Sequence, residues 1–277
     1  MKTQQERAEQ VVDAVKQRYG RIAAEGSSCC APSCCEGIEA APGGSSSLGY
    51  SNSDLAAVPA EADLGLGCGA PVEALRLQEG ETVLDLGSGG GIDAFLAAGL
   101  VGPAGRVVGV DMTPEMIERA TRNATQGGYE NVEFRQGRLE ELPVEAGTVD
   151  AITSNCVINL VPDKAAVFKE AARVLKPGGR IVISDVILDG RLPEAVEQSV
   201  LAYVGCVAGA MRREDYFAAV RDAGFERVEL LKDMDFLDKL GGEVPTDARE
   251  MLDEAGIALD DLVGKVRSVT FRAVTRE

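Results

Sequence analysis

A glycine-rich turn stands directly between a short β-branched run and a helical stretch, at Val83-Leu84-Asp85-Leu86-Gly87-Ser88-Gly89-Gly90-Gly91, and opens a regular alternation of strands and helices. Nothing else in the chain limits its fold as strongly. TVLDL, RVVGVD, NVEFRQ, TVDAITSN and RIVISDV are β-branched runs separated by helical stretches, which predicts a mostly parallel sheet with helices on both faces. Thr113 and Pro114 are placed to cap and open the helix PEMIERATRNA, and Lys176-Pro177-Gly178-Gly179 to stop the helix AAVFKEAARVL before the next strand. Two helical stretches follow Pro193. RVELLKD and VRSVTFRAV, on either side of a helix around DAREMLDEAG, would then close the sheet as an antiparallel pair.

Ahead of this unit, Val11, Val12, Val15 and Tyr19 recur at helical spacing, which predicts an amphipathic helix over residues 6–19 that ends near Gly20. From Ala23 to Gly49 the chain is rich in Gly, Ser, Ala, Pro and Cys without period and reads as a mobile segment.

Composition removes several function classes. At about 150 residues per domain, 277 residues make one large or two small units. A formal net charge of −17 lacks the basic footprint that nucleic acid or an anionic membrane surface requires. The chain has no histidine, so imidazole bases, Ser-His-Asp and Cys-His systems and imidazole metal ligands are all excluded. Seven cysteines, with no apolar leader and no long apolar run, predict a cytoplasmic protein in a reducing compartment.

The glycine loop allows close approach of a ligand to the backbone. Gly89-x-Gly91-x-x-Ala94 satisfies a permissive dinucleotide pattern, and Asp111, at the end of the second strand, sits where an acid would hold a ribose. Charge separates the candidates. A carboxylate at Asp85 would repel a pyrophosphate, whereas S-adenosylmethionine carries an ammonium, a sulfonium and no phosphate. The alternative is that Asp85 merely caps the next helix or bonds loop amides. Through Asp85-x-Gly87-x-Gly89-x-Gly91, Asp111 and the KPGG turn, the chain resembles the class I S-adenosylmethionine methyltransferases over roughly residues 72–277. The resemblance implies a Rossmann-like α/β fold with a seven-stranded sheet. It puts Gly87, Ser88 and Gly89 at the methionine part, Asp111 at the ribose, Met112 and Leu139 at the adenine faces, and Asn155 near the transferable methyl. Where many such enzymes have an acid after Gly137 this chain has Arg138, so the adenine amine would pass to Glu140.

Cys156 follows the fourth strand, at the edge where doubly wound sheets hold ligands. Cys206 lies in the helical region after the fifth strand, and Cys68 is flanked by Gly67 and Gly69. Each alone reads as a small buried hydrophobe. Together, near a methyl donor, three thiols make a soft trigonal site suited to a thiophilic centre. Trivalent arsenic held by three sulfurs keeps a lone pair that attacks a sulfonium methyl with no proton removed, which agrees with a chain lacking histidine. Gly67-Cys68-Gly69, Asn155-Cys156-Val157-Ile158-Asn159-Leu160, Gly205-Cys206-Val207-Ala208-Gly209, Leu48-Gly49-Tyr50, Asp111-Met112-Thr113-Pro114 and Tyr129-Glu130-Asn131-Val132 closely resemble the arsenite S-adenosylmethionine methyltransferases.

That likeness implies Cys156 and Cys206 as the main arsenic ligands, with Cys68 as the third or as partner in a disulfide formed during turnover. An N-terminal cysteine among Cys29, Cys30, Cys34 and Cys35 would complete the redox pair, and an external thiol reductant of the thioredoxin or glutathione type would restore it. Arsenite, its thiol conjugates or methylarsenite would be the substrate, no resident metal is expected, and the protein would act as a monomer. The expected organisation is a helix and Cys-rich extension over 1–70, an S-adenosylmethionine-binding core over 71–190, and substrate-covering helices with closing strands over 191–277. The rival readings are a methyltransferase of carbon or oxygen in a small organic molecule, and an arsenite-sequestering or sensing protein.

Overall fold

The computed structural model describes residues 4–25, 44–197, 199, 207, 209–239 and 246–277. Helices separate the first five strands except between β3 and β4, where the expected helical stretch is instead turns and loop over 137–148: β1 (Thr82–Leu86), α3 (Ile92–Val101), β2 (Arg106–Asp111), α4 (Pro114–Gly127), β3 (Val132–Gln136), β4 (Val149–Asn155), α5 (Lys164–Val174) and β5 (Leu175–Leu188). Ahead of them lie α1 (Gln4–Glu25) and the short α2 (Asn52–Ala56). After them come α6 (Glu194–Glu197), α7 (Arg213–Asp222), β6 (Phe225–Asp235), α8 (Phe236–Lys239), α9 (Thr246–Glu254) and β7 (Val266–Thr275). The sheet order is β3-β2-β1-β4-β5-β7-β6, parallel through β5, with β7 antiparallel to both of its neighbours. This is the class I arrangement, with the closing antiparallel pair the sequence predicts.

The strands are apolar on both sides because both sides are covered. Leu84, Leu86, Ile152 and Ile181 face α5 and α7 in a cluster with Phe168, Val174, Tyr216 and Phe271. Val83, Val107 and Val182 face the opposite way, toward Ala94, Ala97, Ala98 and Val101 of α3. Pro114 opens α4 and Gly128, at φ +70°, ends it, although the Thr113 side chain makes no capping bond. The helix stop before β5 falls at Val174, but Lys176-Pro177-Gly178-Gly179 lies inside β5, as an irregular first stretch where the register with β4 shifts. Because β1, β4 and β5 run in parallel, the glycine loop and the end of β4 emerge on one edge.

The N-terminal helix departs from its expected end, running through Gly20 to Glu25. Tertiary packing overrides the glycine signal. Ile22 and Ala23 are buried against Leu64 and Met116, and the Arg119 guanidinium of α4, 8% exposed, donates to the carbonyls of Ala23 at 2.9 Å and Glu61 at 2.8 Å. Among the described residues no helix is long and apolar enough to cross a membrane. Most of the Gly/Ser/Cys segment, with Cys29, Cys30, Cys34 and Cys35, and also Cys206, lies outside the described residues.

Arg119→Ala leaves two backbone carbonyls without their donor and should destabilise the fold by about 1–3 kcal/mol. Native-state hydrogen exchange should report the loss chiefly in α1; equal loss of protection in β1 and β4 would contradict this docking role.

Candidate functional site

The loop after β1 is held open by its own backbone. The amides of Gly87 and Ser88 both donate to the Val110 carbonyl at 2.7 and 3.1 Å, and the Gly89 amide donates to the Asp111 carboxylate at 3.0 Å. Asp111 also accepts from the Thr113 amide at 2.8 Å, so one acid ties the loop to the start of α4. Two glycines are required here. Gly87 and Gly91 have φ of +70° and +97°, and a Cβ would lie 2.4 Å from Val157 at the first and 2.7 Å from Phe95 at the second.

Two buried polar atoms at this loop have no hydrogen-bond partner: Asp85 Oδ2 and Ser88 Oγ. Asp85 is 2% exposed, and its carboxyl bonds the Ala94 amide at the start of α3. The helix-bonding alternative for Asp85 is therefore present, and one carboxyl oxygen is left over. Burial, with Asp93 and Asp111 as neighbouring acids, pushes its pKa well up. Burial likewise raises Asp93 from 3.8 to about 6, against the opposing bonds from Tyr50 and Asn155, and raises Asp111. An unpartnered buried carboxylate oxygen among like charges is a site for a cation with donor hydrogens. The methionine ammonium of S-adenosylmethionine fits that donor set, and a pyrophosphate does not.

At the neighbouring strand end the side chain of Asn155 joins three segments. Its Oδ1 accepts from the Cys68 amide at 2.7 Å, and its Nδ2 donates to the Gly69 carbonyl at 2.7 Å and the Tyr50 hydroxyl at 2.9 Å. The Tyr50 hydroxyl in turn donates to Asp93 at 2.8 Å. The Cys68 carbonyl accepts from Ser268 of β7 at 3.0 Å. Gly67 has φ +134° and lies against Asn155, while a Cβ on Gly69 would stand 2.4 Å from Ser184 Oγ, so no larger residue fits on either side of Cys68.

This clamp brings Cys68 to Cys156. The two are joined as a disulfide with 5.3 Å between their Cα atoms and a separation of 88 positions in sequence. Cys156 has φ +59°, a conformation a non-glycine residue adopts only under outside constraint, and its amide donates to the Ser184 carbonyl of β5 at 2.8 Å. Both cysteines lie in an apolar cluster with Val15, Leu160, Val186 and Leu188, and Met112 packs there as well.

Of the residues singled out from the sequence, Gly87, Ser88, Gly89 and Gly91 form the loop, with Asp85 of β1 before it and Asp111 of β2 bonded to it, and Asn155, Cys156 and Cys68 meet at the neighbouring strand end. Leu139 packs in the cluster with Leu84 and Val110, and Met112 in the cluster with Cys68. Glu140 pairs with Arg138 at 2.7 Å, so the residue that displaced the usual acid also engages its substitute. Tyr50 and Asp93 emerge as members of the site only in three dimensions. The hint in the sequence was an acid, Asp93, in the first turn of the helix after the glycines.

A family model described as a methyltransferase domain matches residues 77–256. An arsenite methyltransferase of Halobacterium salinarum is 47% identical over 80% of this chain and 59% of its own length. One from Aquipseudomonas alcaligenes is 44% identical over 60% of this chain and 50% of its own. The chain thus spans between half and three-fifths of these curated relatives. The crystal structure of an arsenic(III) S-adenosylmethionine methyltransferase from Chlamydomonas reinhardtii matches with a TM-score of 0.65 at 38% identity, over 79% of this chain and 71% of that one.

Asp85→Asn replaces a buried acid whose ionised form burial and its neighbours disfavour, and removes the anchor for an ammonium. It should raise the melting temperature of the ligand-free protein and weaken S-adenosylmethionine binding by about 1.5–3 kcal/mol, read by calorimetry; unchanged affinity would remove Asp85 from the site. Asp93 holds its proton more tightly folded than unfolded, so its share of stability is present below about pH 4 and is lost as pH rises through about 6. Asp93→Asn should therefore gain on the wild type in urea midpoint between pH 5 and pH 7.5, and a difference independent of pH would contradict the assignment.

Proposed function

The chain belongs to the methyltransferase-domain family and, within it, to the group of the arsenite S-adenosylmethionine methyltransferases, and on that premise we propose that it transfers methyl groups from S-adenosylmethionine to trivalent arsenic held by its cysteine thiolates. The observation that carries this reading is the meeting of Cys68 and Cys156, from distant parts of the chain, beside the glycine loop. A small organic acceptor gives no reason for two thiols to converge there.

When bound, S-adenosylmethionine supplies an electrophilic methyl on a sulfonium whose charge disappears on transfer. In this reading Asp85 holds the ammonium, the loop Gly87, Ser88 and Gly89 lies along the methionine part with Gly91 closing it, and Asp111 takes the ribose. Met112 and Leu139 flank the adenine, and Glu140 reaches its amine by exchanging partners with Arg138. Asn155 acts by fixing the Cys68 loop. Cys68, Cys156 and Cys206 hold the arsenic, Cys206 entering on family resemblance, and the apolar cluster around Cys68 and Cys156 keeps water from the thiolates.

The arsenic lone pair forms the new carbon bond, so the residues around it need only orient, and no general base is called for. Methylation takes arsenic formally from trivalent to pentavalent. Cys68 and Cys156 return the two electrons by forming their disulfide, and an external thiol reductant restores the dithiol by exchange, with Cys29, Cys30, Cys34 or Cys35 as relay. The joining of Cys68 to Cys156 supports this reading, since it shows that the two sulfurs can reach each other. A monomer in a reducing, cytoplasmic compartment completes the proposal.

The test is arsenic speciation after incubation with arsenite, S-adenosylmethionine and a thiol reductant. Methylated arsenic is expected only with all three, and Cys156→Ser should lower its rate by about 10–100-fold or more, the range for loss of a site contact. Arsenite bound but never methylated would point to sequestration, and thiol-independent methylation of an organic acceptor that survives Cys156→Ser would point to the other rival.

A further inference from the structure

The turn that carries Cys156 is fastened to three consecutive residues of β5. The Cys156 amide donates to the Ser184 carbonyl at 2.8 Å. Three residues on, in the 3₁₀ turn Ile158–Leu160, Asn159 Nδ2 donates to Asp185 Oδ1 at 2.8 Å and to the Val186 carbonyl at 2.5 Å. Asp185 Oδ1 also accepts from the Val186 amide at 2.9 Å, and its Oδ2 accepts from the Tyr216 hydroxyl of α7 at 3.1 Å. Asn159, Asp185 and Tyr216 are each 0% exposed.

Burying a carboxyl, an amide and a phenol costs free energy that apolar residues of similar size would avoid. Apolar contact is non-directional and would hold the core while letting the turn slide, whereas hydrogen bonds of fixed geometry set its position and orientation. The need for direction is local: Cys156 sits at φ +59°, and its own amide supplies one bond toward β5. The second fastening comes through Asn159, and Tyr216 closes the far side of the acid that receives it. The Tyr216 ring is itself fixed edge-on against Phe168 and Phe271, with centroids 5.3 and 5.9 Å away.

Resting on the arsenic-thiolate reading above, we infer that the Asn159–Asp185–Tyr216 network is the positioning device for Cys156, locking the turn behind the thiol so that its sulfur faces Cys68. These are positioning residues. They act through the backbone of residues 156–160, which the Asn159 side chain and the Cys156 amide fasten to β5.

The measurement is the thiol–disulfide equilibrium of Cys68 and Cys156 in the full chain. In glutathione redox buffers, two glutathiones reduce the disulfide to the dithiol and leave as glutathione disulfide, and the Cys68–Cys156 cross-linked peptide is quantified by mass spectrometry. Asn159→Ala should shift the equilibrium toward the dithiol by about tenfold, equivalent to about 30 mV, because thiols no longer held face to face pair less readily. Binding of S-adenosylhomocysteine should be unchanged. Val101→Ala, a core substitution on the opposite sheet face, should leave the equilibrium where it is. Tyr216→Phe keeps the ring and loses one bond, and should shift it about threefold.

A folded Asn159→Ala with the wild-type equilibrium overturns the inference, as does an equal shift in Val101→Ala. Should Asn159→Ala not fold, an unmoved equilibrium in Tyr216→Phe overturns it. The readout requires no arsenic, so absence of arsenic methylation in the wild-type protein would sink the functional reading while leaving this result to be judged separately.

Discussion

One primary amide joins the parts of this site. Asn155 leaves the end of β4 with an acceptor on one side and a donor on the other, and it uses both on the loop that carries Cys68, with a further bond to Tyr50. A carboxylate could not donate to the Gly69 carbonyl, and an apolar residue could do neither. The meeting of Cys68 with Cys156 depends on this bridge, because the loop 67–69 has no regular secondary structure to place it. The glycines on either side of Cys68 follow from the same constraint, since they let the loop lie against Asn155 and Ser184.

Electrostatics gives the glycine loop its preference. Three acids, Asp85, Asp93 and Asp111, are held up in pKa by burial, and Asp85 also by its neighbours' charge. Two of them spend their oxygens on amides, a phenol and a carboxamide, and Asp85 keeps one oxygen without a partner. The fold tolerates this strain at the place where a cationic ligand would relieve it, a pattern expected of functional sites. Tyr50 and Asn155 reach the same acids, so the charge of the cofactor loop and the position of the Cys68 loop are linked by hydrogen bonds.

Around the thiols the logic reverses. Val15 from α1, Leu160 after β4, Val186 and Leu188 of β5 and Val266 of β7 surround Cys68 with hydrocarbon. A soft donor loses little by leaving water, and a dry surround favours chemistry in which charge disappears. The N-terminal helix is thus part of the sulfur site's wall, held there by Arg119 and by its own apolar stripe.

The alternating β-branched runs, the glycine loop and the closing pair of strands were legible in the sequence because each has a local cause: period, turn chemistry or a helix-capping residue. The place of Asp85 beside the glycine loop was legible from the strand-turn order, and the meeting of Cys68 with Cys156 was anticipated from residue type and glycine context. The true end of α1 was not legible, because Gly20 signals a stop that burial of Ile22 and Ala23 overrides. Nor were Tyr50, Asp93 and the task of Asn155, since a hydrogen bond spanning 105 residues leaves no period or spacing behind. The sequence by itself determined the sheet and which residue types could do the chemistry, for these rest on propensity and charge carried by each residue; only the tertiary structure decided which of them meet, because contact between distant segments is set by how the whole chain packs.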